Sequence, residues 1–132
     1  MAFKLTHPTP SEADIQGEII EYLRHHPDVV WVRRLNGGGA HLTGGRWVWF
    51  YRLFIRGRVP LDGRGSPDLE AMLQGGRYVA LEVKRARKRG ATPEQTVFLD
   101  AVREGGGLSA VVESCEQVIF LLGAARSICG RK

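Results

Sequence analysis

Cysteines and long apolar runs are scarce in this chain of 132 residues, and their scarcity excludes several classes of protein. Cys115 and Cys129 are the only cysteines. With no CxxC pair and no histidine at ligand spacing, the sequence supports neither a disulfide framework nor a structural zinc site, and we expect two free thiols. No apolar run approaches the length of a membrane span, and the N-terminus lacks the apolar core of a signal peptide. We therefore expect a cytoplasmic protein with no membrane partner.

The composition also lacks the marks of disorder, since 43% of the residues are hydrophobic and 25% are charged. At this length the chain has room for one hydrophobic core. Positive charge is in excess, with 19 Lys and Arg against 14 Asp and Glu, a net charge of +5. Such a balance favours a polyanionic partner, and the basic run at residues 84–89 strengthens this interpretation, although such runs are often only solvated loops.

The periodicity of apolar residues predicts a single domain over residues 11–123, between a flexible tail at 1–10 and a C-terminal tail at 124–132. Ser11 is typical of a helix N-cap, with Asp14 completing a capping box. The predicted element order is α-β-β-β-β-α-β-α. The helices are predicted at 11–26, 92–104 and from 116, and the strands at 29–35, 46–55, 69–73, 77–84 and 108–112. This order predicts an α/β fold with a mixed sheet flanked by helices.

The predicted strand at residues 46–55 is apolar on both faces, which is typical of a buried strand or an interface. Its aromatic side chains are predicted to form core or subunit contacts. Stacking on unpaired bases is the alternative. The aromatic residues concerned are Trp47, Trp49, Phe50, Tyr51 and Phe54.

Charged side chains occur in one of the most apolar predicted strands. The two-residue period of a strand places Glu82 and Lys84 on the same face as Ala80. An isolated pair of this kind is ordinarily a structural ion pair, but Asp68 stands at the start of the partner strand, directly after Pro67. Two carboxylates and a lysine that converge at a sheet end are suited to Mg²⁺ or Mn²⁺ and to phosphodiester cleavage.

A shared site requires a particular register in the hairpin. Directly opposite residues of an antiparallel pair lie on one face, so a two-residue Gly75-Gly76 turn would set Asp68 across from Val83 and on the wrong face for Glu82. We therefore predict a three-residue connection at 74–76, or a bulge near 67–68.

Five segments, in this order, resemble the VRR-NUC (virus-type replication-repair nuclease) branch of the PD-(D/E)XK nuclease superfamily. The resemblance covers residues 11–122 and implies a restriction-endonuclease-like core. The segments are the helix at 12–23, Asn36-Gly37-Gly38, Gly65-Ser66-Pro67-Asp68-Leu69, Ala80-Leu81-Glu82-Val83-Lys84 and Thr92-Pro93-Glu94-Gln95.

The resemblance implies that Asp68 and Glu82 are ligands of Mg²⁺ or Mn²⁺, together with the backbone carbonyl of Val83. It implies that Lys84 orients the attacking water or stabilises the transition state. Gln95 would face the site from the N-terminus of its helix, where capping is the ordinary role of such a residue.

The family also uses a glutamate on its first helix. Helical spacing places Glu12 on the inward stripe with Ile19 and Leu23, whereas Glu18 lies on a polar stripe. We therefore predict that Glu12 belongs to the site and Glu18 does not.

Together these features predict a metal-dependent DNA endonuclease with a role in DNA repair. A homodimer acting on branched DNA, such as four-way (Holliday) junctions, is expected because two symmetric cuts need two sites, with the 47–55 segment as the interface. The alternatives are a flap, nick or general duplex nuclease and a non-catalytic nucleic-acid-binding module. The predicted DNA contacts are Arg46, Arg64, Arg85, Arg87, Lys88 and Arg89.

Overall fold

The computed structural model describes residues 9–35, 37–86 and 90–129, with side chains described up to residue 125. A 3-10 turn at Gly63–Gly65 stands between the fifth and sixth strands. The other elements, in chain order, are α1 (Glu12–Arg24), β1 (Val29–Arg34), β2 (Gly39–His41), β3 (Trp47–Trp49), β4 (Arg52–Leu53), β5 (Leu61–Asp62), β6 (Leu69–Leu73), β7 (Tyr78–Val83), α2 (Pro93–Glu104), β8 (Leu108–Val112) and α3 (Cys115–Cys129).

A four-stranded sheet in the order β1-β6-β7-β8 forms the centre of the fold. The β1–β6 and β6–β7 pairs are antiparallel, whereas β7 and β8 are parallel. The parallel pair is joined through α2, as a parallel connection requires a crossover. The predicted mixed α/β class is therefore confirmed.

One face of this sheet carries the hydrophobic core. Leu81 and Val83 of β7 are fully buried and belong to one cluster with side chains from α1 and α3. The α1 helix contributes Ile15, Ile19 and Leu23 to it, which lie at helical spacing. A capping box between Ser11 and Asp14 begins α1 as predicted, and the helix ends at Arg24.

The opposite face of the sheet is covered in part by α2. This helix begins with Thr92 as its N-cap and Pro93 in its first turn, and its Leu99 is buried. The Ser109 hydroxyl of β8 donates a 2.6 Å hydrogen bond to the carbonyl of Leu99, which fixes α2 against the sheet. The buried polar side chains of the molecule, Glu70, Glu82 and Ser109, lie on this face.

The hairpin between β6 and β7 has the predicted three-residue connection. Leu69 pairs with Leu81 and Met72 with Tyr78, and the Leu73 N–H donates to the carbonyl of Arg77. Residues 74–76 form the turn, with Gly75 and Gly76 at positive φ, where glycine is favoured. The register, extended by one residue, sets Asp68 across from Glu82 on the α2 side of the sheet.

The single strand predicted at 46–55 is wrong. This segment divides into β3, which pairs with β2, and β4, which pairs with β5, so residues 39–62 form two short ribbons that we call the aromatic arm. The predicted core role is also wrong for most of its aromatic residues. Their exposed fractions are 43% for Trp47, 56% for Phe50, 50% for Tyr51 and 72% for Phe54.

The physical reason lies in the pairing partners. In the aromatic arm β2 pairs with β3 and β4 pairs with β5, and none of these strands joins the hydrogen-bonded ladder of the central sheet. Its aromatic rings instead contact one another: the His41 and Trp47 ring centroids are 4.9 Å apart and those of Trp47 and Trp49 are 5.6 Å apart, both edge to face. Such pairs stabilise a ribbon without a core.

The sequence predicts a tail at each end of the chain and two free thiols. α3 continues to Cys129, so residues 124–129 of the expected C-terminal tail are helical, and Ala125 is buried. Residues 1–8 of the expected N-terminal tail lie outside the described residues. Cys115 is a free, half-buried thiol, and the side chain of Cys129 is outside the described part. Among the described helices, none combines the length and apolarity needed to cross a bilayer.

Candidate active site

Glu82 stands at the centre of the candidate site and is almost completely buried, with 2% of its surface exposed. Its Oε1 accepts a 2.7 Å hydrogen bond from Nε2 of Gln95 and lies 3.2 Å from Nζ of Lys84. Its Oε2 is buried and has no hydrogen-bond partner among the described residues. Such an atom is costly to bury, so its presence points to a ligand.

Asp68 lies beside Glu82, one residue before β6. Its Oδ2 accepts a 2.7 Å hydrogen bond from the backbone N–H of Val83, and its own carbonyl accepts from the N–H of Leu35. These bonds fix the residue between two strands. Asp68 also lines a cleft beside the N-terminus of α2.

The two carboxylates affect each other electrostatically. The pKa of Glu82 is raised from 4.5 to about 8: burial is the largest cause, the nearby Asp68 carboxylate adds to it, and Lys84 opposes both effects. Two adjacent carboxylates do not both ionise readily without a cation between them. A divalent cation would supply the missing positive charge.

Lys84 follows β7 directly, and its backbone N–H donates to the carbonyl of Val112. The side chain is 19% exposed. It therefore presents its ammonium group at the end of β7, next to the Glu82 carboxylate and in reach of solvent.

The N-terminus of α2 completes the site. Gln95 serves as the third helical residue of the capping box, since its Oε1 accepts a 2.8 Å hydrogen bond from the Thr92 N–H. Its Nε2 contacts Glu82 at the same time. The capping contact with Thr92 and the contact with Glu82 are thus made by the two ends of one amide.

A cleft of about 400 Å³ opens at Asp68 and Gln95. Gly37 and Gly63 line it and contact each other so closely that a Cβ on Gly63 would lie 1.8 Å from the carbonyl oxygen of Gly37. Only glycine fits there, and the contact holds the Gly63–Gly65 turn beside the sheet. The indole of Trp49 forms another wall of the cleft.

The donor set fits a hard divalent cation. No cluster of three or more His, Cys, Asp and Glu side chains suited to a metal ion occurs within residues 9–35, 37–86 and 90–125. Mg²⁺, however, is commonly held by one or two carboxylates, with water and substrate phosphate as its other ligands. Asp68 and Glu82 meet that requirement, and the backbone carbonyl of Val83, the last residue of β7, is the third ligand that the resemblance implies.

The predicted DNA contacts divide into three groups. Arg64 lines the cleft. Its guanidinium donates hydrogen bonds to both carboxylate oxygens of Asp62 and lies 5.6 Å from the Trp49 ring centroid. Arg46 and Arg85 are exposed on the surface. Arg87, Lys88 and Arg89 lie outside the described residues.

Glu12 is the first residue of α1 and is half-buried, whereas Glu18 is exposed. This difference agrees with the predicted orientation of the helix. The described contacts include no hydrogen bond from Glu12 to Asp68, Glu82 or Lys84, so its membership of the site stays a prediction.

Sequence reasoning missed two carboxylates near the site. Glu70 lies two residues after Asp68 on the same face, is 6% exposed, and accepts hydrogen bonds from Arg33 Nε and the Tyr78 hydroxyl. The sequence signal for Glu70 was an acidic residue in an otherwise apolar strand, two positions after Asp68 and therefore on the same face. Glu94, within the capping segment of α2, lines the cleft.

Comparison of the chain with protein-family models, with curated proteins and with solved structures finds no match.

Proposed function

We propose that this protein is a metal-dependent DNA endonuclease that hydrolyses phosphodiester bonds with a site of the PD-(D/E)XK type, similar to the VRR-NUC branch. One observation carries the proposal. Glu82 Oε2 is buried and has no donor among the described residues, and Glu82 lies beside Lys84 and on the same face of the sheet as Asp68, which lines the cleft.

The proposed roles follow from the contacts of each side chain. Asp68, Glu82 and the Val83 carbonyl would hold Mg²⁺ or Mn²⁺, which when bound lowers the pKa of a water and neutralises phosphate charge. Gln95 and Lys84 both contact Oε1 of Glu82, which leaves Oε2 as the ligand atom.

Lys84 has a second proposed role toward the substrate. Its side chain is partly exposed beside Glu82, where the ammonium would orient the attacking water or stabilise the charge that develops on phosphorus. Arg46, Arg64, Arg85 and the basic run that follows would hold the DNA backbone by charge.

A binding module that has lost hydrolysis is the second candidate, and the buried acids argue against it. A carboxylate such as Glu82 without full compensation destabilises the fold, and an apolar residue of similar size would relieve that cost. A site that retains the acid pair and the lysine is better explained by chemistry.

The proposed substrate is branched DNA, with four-way junctions first and flaps, nicks or ordinary duplex as alternatives. Paired cuts at a junction need two sites, so we propose a homodimer. The exposed aromatic residues of the arm offer an apolar surface for the second subunit.

The experiment that tests the proposal uses labelled four-way junction, flap, single-stranded and linear duplex DNA, each with Mg²⁺, Mn²⁺ or chelator. We expect cutting only with metal. Asp68→Ala and Lys84→Ala should each reduce it at least about 100-fold while DNA binding is retained, and Asp100→Asn, on the exposed side of α2, is the matched control. Full activity in excess chelator would overturn the proposal.

A further inference from the structure

A second cavity, of about 190 Å³, lies beside the cleft at the base of the aromatic arm. Leu35, Ser66 and Pro67 line both, so the two openings are neighbours across the segment that leads into Asp68. Pockets for drug-sized ligands begin at about 300 Å³. The smaller cavity therefore fits one planar ring system.

Aromatic side chains form much of its wall. Tyr51 comes from the arm, Tyr78 from β7 and Phe98 from α2. Tyr51 is 50% exposed and so is accessible to a ligand. Aromatic platforms of this kind bind bases that are not paired in a duplex, because every base offers a stacking face.

The charges around the cavity suit a phosphate group. Arg33 and Arg52 line it, and Glu70 is the one acid among its described lining residues. Glu70 is already occupied, since Arg33 Nε and the Tyr78 hydroxyl both donate to it. Its negative charge is therefore compensated within the protein and does not repel an anion strongly.

Arg33 is held in place and is still accessible. Its Nε bond to Glu70 fixes one edge of the guanidinium, the group lies 5.5 Å from the Trp31 ring centroid, and the side chain is 64% exposed. The terminal nitrogens stay available for a phosphate. Asp68 directly precedes β6 and lies two residues before Glu70, about 7 Å along a strand, so Arg33 lies near the proposed cutting site.

We propose that this cavity binds one unpaired nucleotide of the DNA strand next to the bond that is cut, with the base against Tyr51 and its phosphate on Arg33 and Arg52. The inference rests on the proposed function for the position of the cut. It specifies a substrate with an unpaired base beside that position, because a base within a duplex is stacked and does not reach the cavity.

Binding without cleavage tests this directly. Asp68→Asn retains an oxygen to accept the Val83 N–H and removes a metal ligand, so we use this variant in chelator as the background. Affinity is measured by fluorescence anisotropy for an oligonucleotide with one unpaired base at a nick, for the same oligonucleotide with an abasic unpaired position, and for intact duplex.

In that background we expect the unpaired base to bind about tenfold more tightly than the abasic form. Tyr51→Ala should remove this preference and leave duplex affinity within about twofold. Tyr51→Phe, which retains the ring, and Phe50→Ala, on the same arm but outside the cavity, should retain it. Arg33→Gln should lower the slope of log affinity against log salt by about 0.7 to 0.9.

The inference is overturned if the wild-type pocket binds the base and abasic forms with equal affinity, or if Tyr51→Ala lowers the affinity for all three DNAs equally. A change in the sedimentation of Tyr51→Ala would also overturn it, because that result would assign Tyr51 to a subunit contact. Failure of the nuclease proposal is distinguishable. In that case the wild-type chain shows no metal-dependent cutting, whichever DNA it binds more tightly.

Discussion

The side-chain amide of Gln95 donates a 2.7 Å hydrogen bond to Oε1 of Glu82. The same amide, through its oxygen, accepts the N–H of Thr92 and so begins α2. The first turn of a helix and the position of a buried acid therefore depend on one side chain. Substitutions that separate these two roles show which of them supports catalysis.

We predict that Gln95→Glu preserves the helix cap and impairs the site. Glutamate is an ordinary capping-box residue, but its second oxygen would face Glu82 with negative charge in place of a donor. The pKa of Glu82 should rise further. We expect the apparent Mg²⁺ affinity, measured from cleavage rates, to fall about tenfold or more, and the pH optimum to move upward.

Thr92→Ala is the matched control for the cap. It should lower the free energy of unfolding by about 1 kcal/mol and leave the metal dependence of cleavage unchanged. If both variants change the metal dependence equally, the contact between Gln95 and Glu82 has no separate role at the site.

The pKa of Glu82 predicts how stability varies with pH. In the unfolded chain this group loses its proton near 4.5, whereas in the metal-free fold it retains it to about 8. The folded state therefore binds more protons in this interval, so the contribution of Glu82 to the free energy of unfolding decreases as pH rises from about 4.5 to 8.

Thermal denaturation in chelator across that interval, compared between wild type and Glu82→Gln, isolates this contribution. Glutamine has no charge to bury, so the stability difference in its favour should grow toward pH 8. Mg²⁺ or Mn²⁺ should stabilise the wild type more at pH 8 than at pH 5.5 and should have little effect on the variant. Parallel pH profiles without metal would contradict this account of Glu82.

The two glutamates of α1 provide a paired test. Glu12 is half-buried and Glu18 is exposed, so we expect Glu12→Gln to reduce cleavage at least about tenfold and Glu18→Gln to have little effect. Circular dichroism checks that both variants fold equally. The reverse ranking would show that a different face of the helix is directed to the site.

Replacement of arm residues outside the side cavity tests the proposed dimer. We expect Trp47→Ser combined with Phe54→Ser to shift the protein from dimer to monomer in sedimentation at micromolar concentration, because both rings are exposed. Paired cutting of a four-way junction should become single nicking. A wild-type monomer that cuts junction and linear duplex at equal rates would contradict the prediction.

The sequence predicted the parts of the fold that depend on local chemistry. The helix starts at Ser11 and Thr92, the end of α2 at Glu104 and the parity of the hairpin follow from short-range rules, and the structure confirms them. The end of α3 does not follow in this way, since this helix continues past residue 123 to Cys129. A shared site of Asp68 and Glu82 requires a connection with an odd number of residues, and the turn at 74–76 has three.

The aromatic arm could not be predicted in the same way. A run that is apolar on both faces has the same pattern whether it lies inside a sheet or in a ribbon whose rings pack on each other. The choice depends on which strand pairs with β1, and that is a long-range contact. For the same reason, the contact of Arg33 with Glu70 was not visible from the residues alone.

The turn at residues 74–76 lies at the far end of β6 and β7 from the acids, yet its length decides on which side of the sheet Asp68 stands. Removing one residue from the turn would shift the pairing of β6 and β7 by one residue. Asp68 would then lie opposite Val83 instead of Glu82, and its side chain would face the apolar core. Restoring the site would require a second change of one residue. Insertions and deletions that preserve the site should therefore change the length of this turn by an even number of residues. The turn carries no residue of the candidate site, yet the acids at the opposite end of the two strands restrict its length.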